Sequence, residues 1–173
     1  LTQSIDKIKY DPMFYNYYGI KLLNEGNFKD GWKYYEYRNS KIVDFFANTN
    51  EWTGQKIDTK SIVVFNEQGL GDSIQFSKYI IPLTKIAKNV TFVVQASIKN
   101  LFKNDIKNLK IETIETSHNK QFDFKIALGS LIKFFFKEKF MENENLIHTS
   151  KNNDLKWKKQ IDSDKLNIGC VWS

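Results

Sequence analysis

The stretch SIVVFNEQGLGDSIQF, residues 61–76, decides the fold. Its first five residues are a continuous, largely β-branched apolar run, the pattern of a strand covered on both faces. A turn with Gly69 and Gly71 follows, then Asp72 and an amphipathic segment that reads as a helix over 72–87. The alternation repeats downstream. VTFVVQA (90–96), KIETI (110–114) and FDFKIAL (122–128) read as strands, with a short helix at 97–104 and another near 129–140. A further helix is expected at 154–162 and a last strand in LNIGCVW (166–172). Strands alternating with helices imply a parallel sheet with right-handed crossovers, a Rossmann-like α/β fold.

In an open α/β sheet ligands sit beyond the carboxyl ends of the strands, so the turn after the first strand is the best-placed loop of the domain. Gly69 and Gly71 are expected to give positive φ and to let a ligand approach closely. With a helix starting near Asp72, free amides and the positive helix end would face the crevice. Familiar fingerprints do not fit. A dinucleotide site needs glycine where Ile74 stands, a P-loop needs Gly-Lys-Ser/Thr, and the G-x-S-x-G nucleophile elbow is absent. Two readings of Asp72 remain. It is an N-cap, worth about 1 kcal/mol, or it is a general base that takes a proton from a substrate hydroxyl, its ionised form favoured by the helix dipole.

Residues 11–38 read as two helices. Asp11 caps the first, with Pro12 in its first turn, and Tyr15, Tyr18, Leu22 and Leu23 recur at helical spacing. NEGN (24–27) supplies a glycine turn. The second helix runs from about Phe28 to Arg38, with Phe28, Trp32 and Tyr35 on its apolar side. Trp32 and Tyr35 read as core; with Tyr34 and Tyr37 they would otherwise offer a sugar-stacking platform. The chain thus divides into a helical hairpin (1–40), a connector (41–60), the α/β domain (61–165) and the start of a further unit (166–173).

Composition narrows the function classes. The 173 residues are 41% hydrophobic and 15% aromatic, enough for a packed core. The net charge is +6, but of 26 basic residues only Arg38 is arginine, and the lysines are scattered among 20 acids. That is a background bias and not a nucleic-acid stripe, which favours arginine forks. Cys170 stands alone, so neither a disulfide framework nor a thiol metal cluster is expected, and the default setting is cytoplasmic. The most apolar run, LIKFFF (131–136), is broken by Lys133 and falls short of the ~18 residues of a membrane span. No signal peptide is visible, and both ends look cut, as in a piece of a longer protein. Asp162-Ser163-Asp164 has the D-x-D form of a metal and nucleotide motif, but it follows the polar LKWKKQ and reads as a helix-ending turn. His118 and His148 lack a second ligand at metal spacing and read as exposed or structural. Cys170 reads as a small buried apolar group.

Two resemblances add to this. The helix pair resembles one tetratricopeptide repeat: Tyr15 to Gly19 fits the first-helix signature, and Gly31-x-x-x-Tyr35 fits the small and aromatic pair of the second. Such repeats need neighbours to bury their faces, so further repeats are expected upstream. GNFKDGWKYYEYR (26–38), WTGQ (52–55), NEQGLGDSIQFSKYI (66–80) and IGCVWS (168–173), in that order, resemble bacterial proteins that join such repeats to a two-Rossmann (GT-B) glycosyltransferase similar to the lipopolysaccharide heptosyltransferases. Tyr37 stands where the usual form has tryptophan.

The resemblance implies inverting, metal-independent transfer from a nucleotide-sugar co-substrate to a protein or glycan acceptor presented by the repeats. No other cofactor is implied. Asp72 takes the position of the proposed base. Glu67, Gln68, Gly69, Leu70, Gly71 and Gln75 would line the acceptor side, and Trp172 and Ser173 would open the donor half. That second Rossmann domain is missing from the 173 residues, so the chain alone should bind donor poorly and turn over little. Two rivals stay open: a non-catalytic repeat-linked module that docks a protein partner, and a nucleotide-binding regulator using the same turn.

Overall fold

The structure, a computed structural model, describes residues 11–38, 46–102, 105–136, 146–149, 151–161 and 164–168. The expected α/β fold is present as a five-stranded, all-parallel sheet. Its strands are β1 (Asn50–Glu51), β2 (Ile57–Phe65), β3 (Ala87–Val93), β4 (Leu109–Glu112) and β5 (Phe124–Ala127). They lie in the order β1-β5-β2-β3-β4. The chain therefore runs outward from β2 through β3 to β4, then returns to pair β5 on the other side of β2. This reversal is the Rossmann-like switch point, where crevices open at the carboxyl edge.

β2 is central because its side chains suit burial on both faces. Ile62 and Val64 pack with Val90, Phe92, Leu109, Ile111 and Ile126 on one side, while Val63 and Phe65 pack with Phe46 and Val93 on the other. All four β2 side chains are almost wholly buried. The first face is covered by Phe76, Tyr79, Ile80 and Leu83, each contributing about 1.5–3 kcal/mol by leaving water.

The single helix expected over 72–87 is broken into three pieces. α3 (Leu70–Phe76) passes through a 3₁₀ turn (Ser77–Tyr79) into α4 (Ile80–Thr84). Pro82 is the reason: it has no N–H to bond the carbonyl of Lys78, so the ladder restarts and leaves Pro82 in a first turn, where no bond is missing. The short helix at 97–104 is a 3₁₀ segment (Ala96–Leu101). α5 (Ile114–Ser117) crosses from β4 to β5. The helix expected near 129–140 is a 3₁₀ turn (Leu128–Leu131) and α6 (Ile132–Phe135). The last helix, α7, spans Lys151–Lys158. Residues 166–168 form no strand, with Leu166 and Ile168 exposed, and the rest of the expected last strand, Cys170 included, lies outside the described residues.

Where the pairing of β2 with β5 begins, Asp123 accepts the Ser61 N–H and hydroxyl at 2.8 Å each and Lys60 Nζ at 3.1 Å. The Ser61 amide, then its hydroxyl and Lys60, pull the Asp123 carboxyl from 3.8 to about 2. A carboxyl lowered in the fold stabilises above the unfolded value, and that contribution is lost as pH falls through about 2. Asp123→Asn is expected to remove this part of the acid sensitivity. A carboxyl titration by NMR checks it; an Asp123 signal titrating at the ordinary value contradicts it.

The N-terminal hairpin is α1 (Pro12–Asn24) and α2 (Phe28–Tyr35). Asp11 caps α1 by accepting the Met13 N–H at 2.8 Å, and Gly26 makes the turn at φ 80°. Two glycines let the helices touch. A Cβ on Gly19 would stand 2.7 Å from the Tyr35 nitrogen and 2.8 Å from the Tyr34 carbonyl carbon, and one on Gly31 would strike Leu23. Backbone cannot swing aside as a side chain can, so Gly19→Ala is expected to cost about 1–3 kcal/mol. A chemical-denaturation midpoint measures this, and an unchanged midpoint contradicts it.

Candidate functional site

The turns leaving β2 and β5 meet at the carboxyl edge of the sheet, and one buried ion pair joins them. Glu67 Oε2 accepts the Leu128 N–H at 3.1 Å and its Oε1 accepts the Gly129 N–H at 3.3 Å. Oε1 also takes Arg38 Nε at 2.9 Å and Arg38 Nη2 at 2.7 Å. The Glu67 and Arg38 side chains are 1% and 6% exposed. Arg38 has no idle donor: Nη2 also reaches Ser130 Oγ at 2.8 Å, and Nη1 reaches Glu36 Oε1 at 2.9 Å and the Tyr35 carbonyl at 3.3 Å. Five N–H groups meet four acceptor atoms from three segments of the chain, Glu67 Oε1 taking two of them, which only a guanidinium can do. Burial works against the Arg38 charge, but Glu67 and Glu36 outweigh it and raise its pKa. Burial likewise opposes ionised Glu36, whose carboxyl nevertheless lies below its ordinary value because Arg38 and then Lys133 face it. Gly129 is glycine for this clamp, since a Cβ there would stand 3.0 Å from both Arg38 Nη2 and Glu67 Oε1.

Glu67 is therefore an anchor with its carboxylate consumed, and a direct hold on a substrate is not open to it. The rest of the turn is similarly tied. Asn66 donates to the Gln68 carbonyl at 2.9 Å, Gln95 Nε2 donates to the same oxygen at 3.2 Å, and Ser73 Oγ bridges Gln95 Oε1 and the Gly69 carbonyl. Gln68 Oε1 accepts the Tyr35 hydroxyl at 2.9 Å.

Asp72 is not an N-cap. α3 begins at Leu70 with Gly69 as its cap residue, which puts Asp72 in the third helical position, and its Oδ2 reaches back to the Gly69 N–H at 3.1 Å. Asp72 is half-buried, and among the described residues its Oδ1 has no partner. The positive φ expected at Gly69 and Gly71 is absent; Gly69 sits at φ −70°, and the positive-φ glycines among the described residues are Gly26 and Gly54. An extended cap residue suffices to start α3, so left-handed backbone is not required. Gly71 has another use: no atom lies within 4 Å of a Cβ built there, so the helix start is bare toward solvent. Gly71→Ala is thus expected to leave stability unchanged or raise it by up to about 1 kcal/mol, while placing a methyl group where a ligand would approach. A melting curve checks the first half, and a drop in stability overturns it.

Leu70 and Gln75 are exposed on the outer side of α3, and the Gln75 side chain makes no hydrogen bond among the described residues. Beyond β2 and β3 the crevice deepens to a mostly apolar cavity of about 230 Å³ lined by Asn66, Val93, Val94, Gln95 and Ile114, with Glu115 at its side. A larger hollow of about 460 Å³, which His118 helps to line, lies before the amino ends of β1 and β5, away from the Gly-Asp turn. His118 itself is exposed, with Nδ1 beside the Ile114 and Glu115 carbonyls, and the His148 N–H donates to the Leu101 carbonyl. WTGQ is a structural turn: Trp52 is buried against Phe134 at 4.5 Å and donates to the Gln55 carbonyl at 2.8 Å. Trp172, Ser173, Asp162 and Ser163 lie outside the described residues.

Tyr35, Arg38, Gln95 and Ser130 are site residues that sequence reasoning did not assign. Arg38 had one signal, as the single arginine of a lysine-rich chain, and Tyr35 another, as a member of the aromatic cluster read chiefly as core; Gln95 and Ser130 had none. Compared with known protein families, curated proteins and solved structures, the chain matches none.

Proposed function

We propose that the chain is the acceptor-side half of a two-Rossmann glycosyltransferase, with Asp72 as the general base. The observation that carries this reading is the Asp72 carboxylate at the switch-point crevice, held by one oxygen on the Gly69 N–H and, among the described residues, free at the other. Oδ1 takes the proton of an acceptor hydroxyl. The hydroxyl oxygen attacks the anomeric carbon of a nucleotide sugar, and the bond to the nucleotide phosphate breaks with its electron pair leaving on the phosphate. Attack opposite the leaving group inverts the anomeric centre. The donor nucleotide is held chiefly by a second Rossmann unit, and the step is metal-independent. The hairpin is the last tetratricopeptide-like repeat and brings the acceptor. Among the described residues no helix is long and apolar enough to cross a membrane.

The test is transfer from a panel of nucleotide sugars by the full-length protein that carries this chain, with Asp72→Asn alongside. Transfer that needs Asp72 supports the reading; transfer that ignores it removes the base.

One observation favours a second reading. Met13, Phe14, Tyr17 and Tyr18 of α1 are 60%, 46%, 62% and 41% exposed, an apolar face suited to a neighbouring protein or repeat. A non-catalytic, repeat-linked docking module accounts for that face without chemistry at Asp72. Full-length protein that captures a partner through α1 but neither transfers nor hydrolyses any nucleotide sugar would select it.

A further inference from the structure

We propose that Tyr35, from the helical hairpin, is a positioning residue of the crevice: its hydrogen bond to Gln68 decides which end of the Gln68 amide is left for a substrate, and so makes the turn select an alcohol hydroxyl. The inference rests on the glycosyl-transfer reading of Asp72.

Tyr35 lies 33 residues from Gln68 in the chain, yet its hydroxyl donates to Gln68 Oε1 at 2.9 Å. With Oε1 committed, the remaining group of the amide is Nε2 with its two N–H donors. Nε2 makes no hydrogen bond among the described residues and is not sealed from solvent. On the same turn Asp72 Oδ1 is an acceptor without a partner among the described residues. A donor-only nitrogen and an acceptor-only oxygen together match a hydroxyl, which accepts one hydrogen bond and donates another. A carboxylate satisfies the nitrogen and is repelled by Asp72. An ammonium does the reverse. The substrate class is therefore a neutral polyol or sugar.

Tyr35 is itself held in place. The Arg38 guanidinium lies 4.8 Å over its ring, and Trp32 packs edge-on at 5.5 Å. Burial is the largest effect and raises the phenol pKa; the Arg38 charge opposes that rise, and the charges of Asp72 and Glu67 add to it. The phenol thus stays a donor across neutral pH. Without it the amide is free to turn over and present Oε1, giving two acceptors that compete for one hydroxyl hydrogen.

The experiment reads the Gln68 side-chain amide by ¹⁵N NMR in the 173-residue chain while methyl β-D-glucopyranoside is added, with acetate and methylamine as controls. In the unmodified chain the glycoside is expected to shift the Nε2 protons saturably and the two ions to have little effect. Tyr35→Phe is expected to weaken glycoside binding about tenfold, the worth of one well-placed hydrogen bond. Gln68→Glu keeps the acceptor for Tyr35 but replaces the outward donor by oxygen, so it should lose as much with the hairpin intact, even if Tyr35→Phe folds poorly. The two losses should not add in the double variant. Glycoside binding unchanged in Gln68→Glu, a Gln68 amide untouched by the glycoside, or tighter binding of acetate each overturns the proposal. These outcomes are independent of catalysis: an Asp72→Asn protein that still transfers sugar ends the base assignment but leaves the Tyr35 role standing.

Discussion

Arg38→Ala is expected to lower the unfolding free energy by about 3–5 kcal/mol, a large share of the roughly 5–15 kcal/mol that holds a domain of this kind. The loss comes from what stays behind. Glu67 is 1% exposed and keeps only the Leu128 and Gly129 amides as partners. Ser130 loses a donor, and Glu36 is left with Lys133 as its facing cation. An uncompensated carboxylate out of water costs far more than the pair contributed. Arg38→Lys is expected to recover only part of the loss, because an ammonium is a point charge with three donors and cannot make the five hydrogen bonds of the planar fork. Arg38→Met combined with Glu67→Leu removes both charges and should be milder than either single change. Urea midpoints of the five variants, the two singles of the double included, check this ordering. A double variant as weak as the sum of its singles would mean that the pair is not a clamp.

If the protein transfers sugar as proposed, Asp72→Asn is expected to lower that transfer by the full-length protein about 10²–10⁴-fold, with stability changed by about 1 kcal/mol or less. Asparagine keeps the shape and, through its amide oxygen, the bond from the Gly69 N–H. What it loses is the capacity to take a proton. A neutral acceptor hydroxyl is then left to attack without a base, so the loss should fall on the catalytic step and not on donor binding. The same rate in both proteins would return Asp72 to the role of helix-start partner. A fall matched by unfolding would point to the cap bond instead.

The candidate site was unevenly legible. Asp72 and its glycines are local in sequence, and a β-branched run ending in a Gly-x-Gly-Asp turn marks the carboxyl edge of a first strand whatever surrounds it. The role of Glu67 was not legible. It reads as a crevice lining by position, yet it becomes an anchor because β5 pairs beside β2 and brings Gly129 to it, 62 residues away. Arg38 is 29 residues from Glu67 and 92 from Ser130, so no window of sequence contains the clamp. Tyr35 reads as core from its helical spacing. That holds for its ring, which packs on Trp32, whereas its hydroxyl ends at the crevice. The break at Pro82 was legible in principle, since a missing N–H inside an expected helix has a fixed cost.

The sequence by itself determined the strand and helix alternation, the parallel class of the sheet and the turn that bears Asp72, because two-sided burial and turn chemistry are properties of neighbouring residues. Only the tertiary structure decided which charges are buried and which stay available. Desolvation depends on what packs above a group, and here the return of β5 and the docking of α2 seal Arg38 and Glu67 while, among the described residues, nothing bonds one oxygen of Asp72.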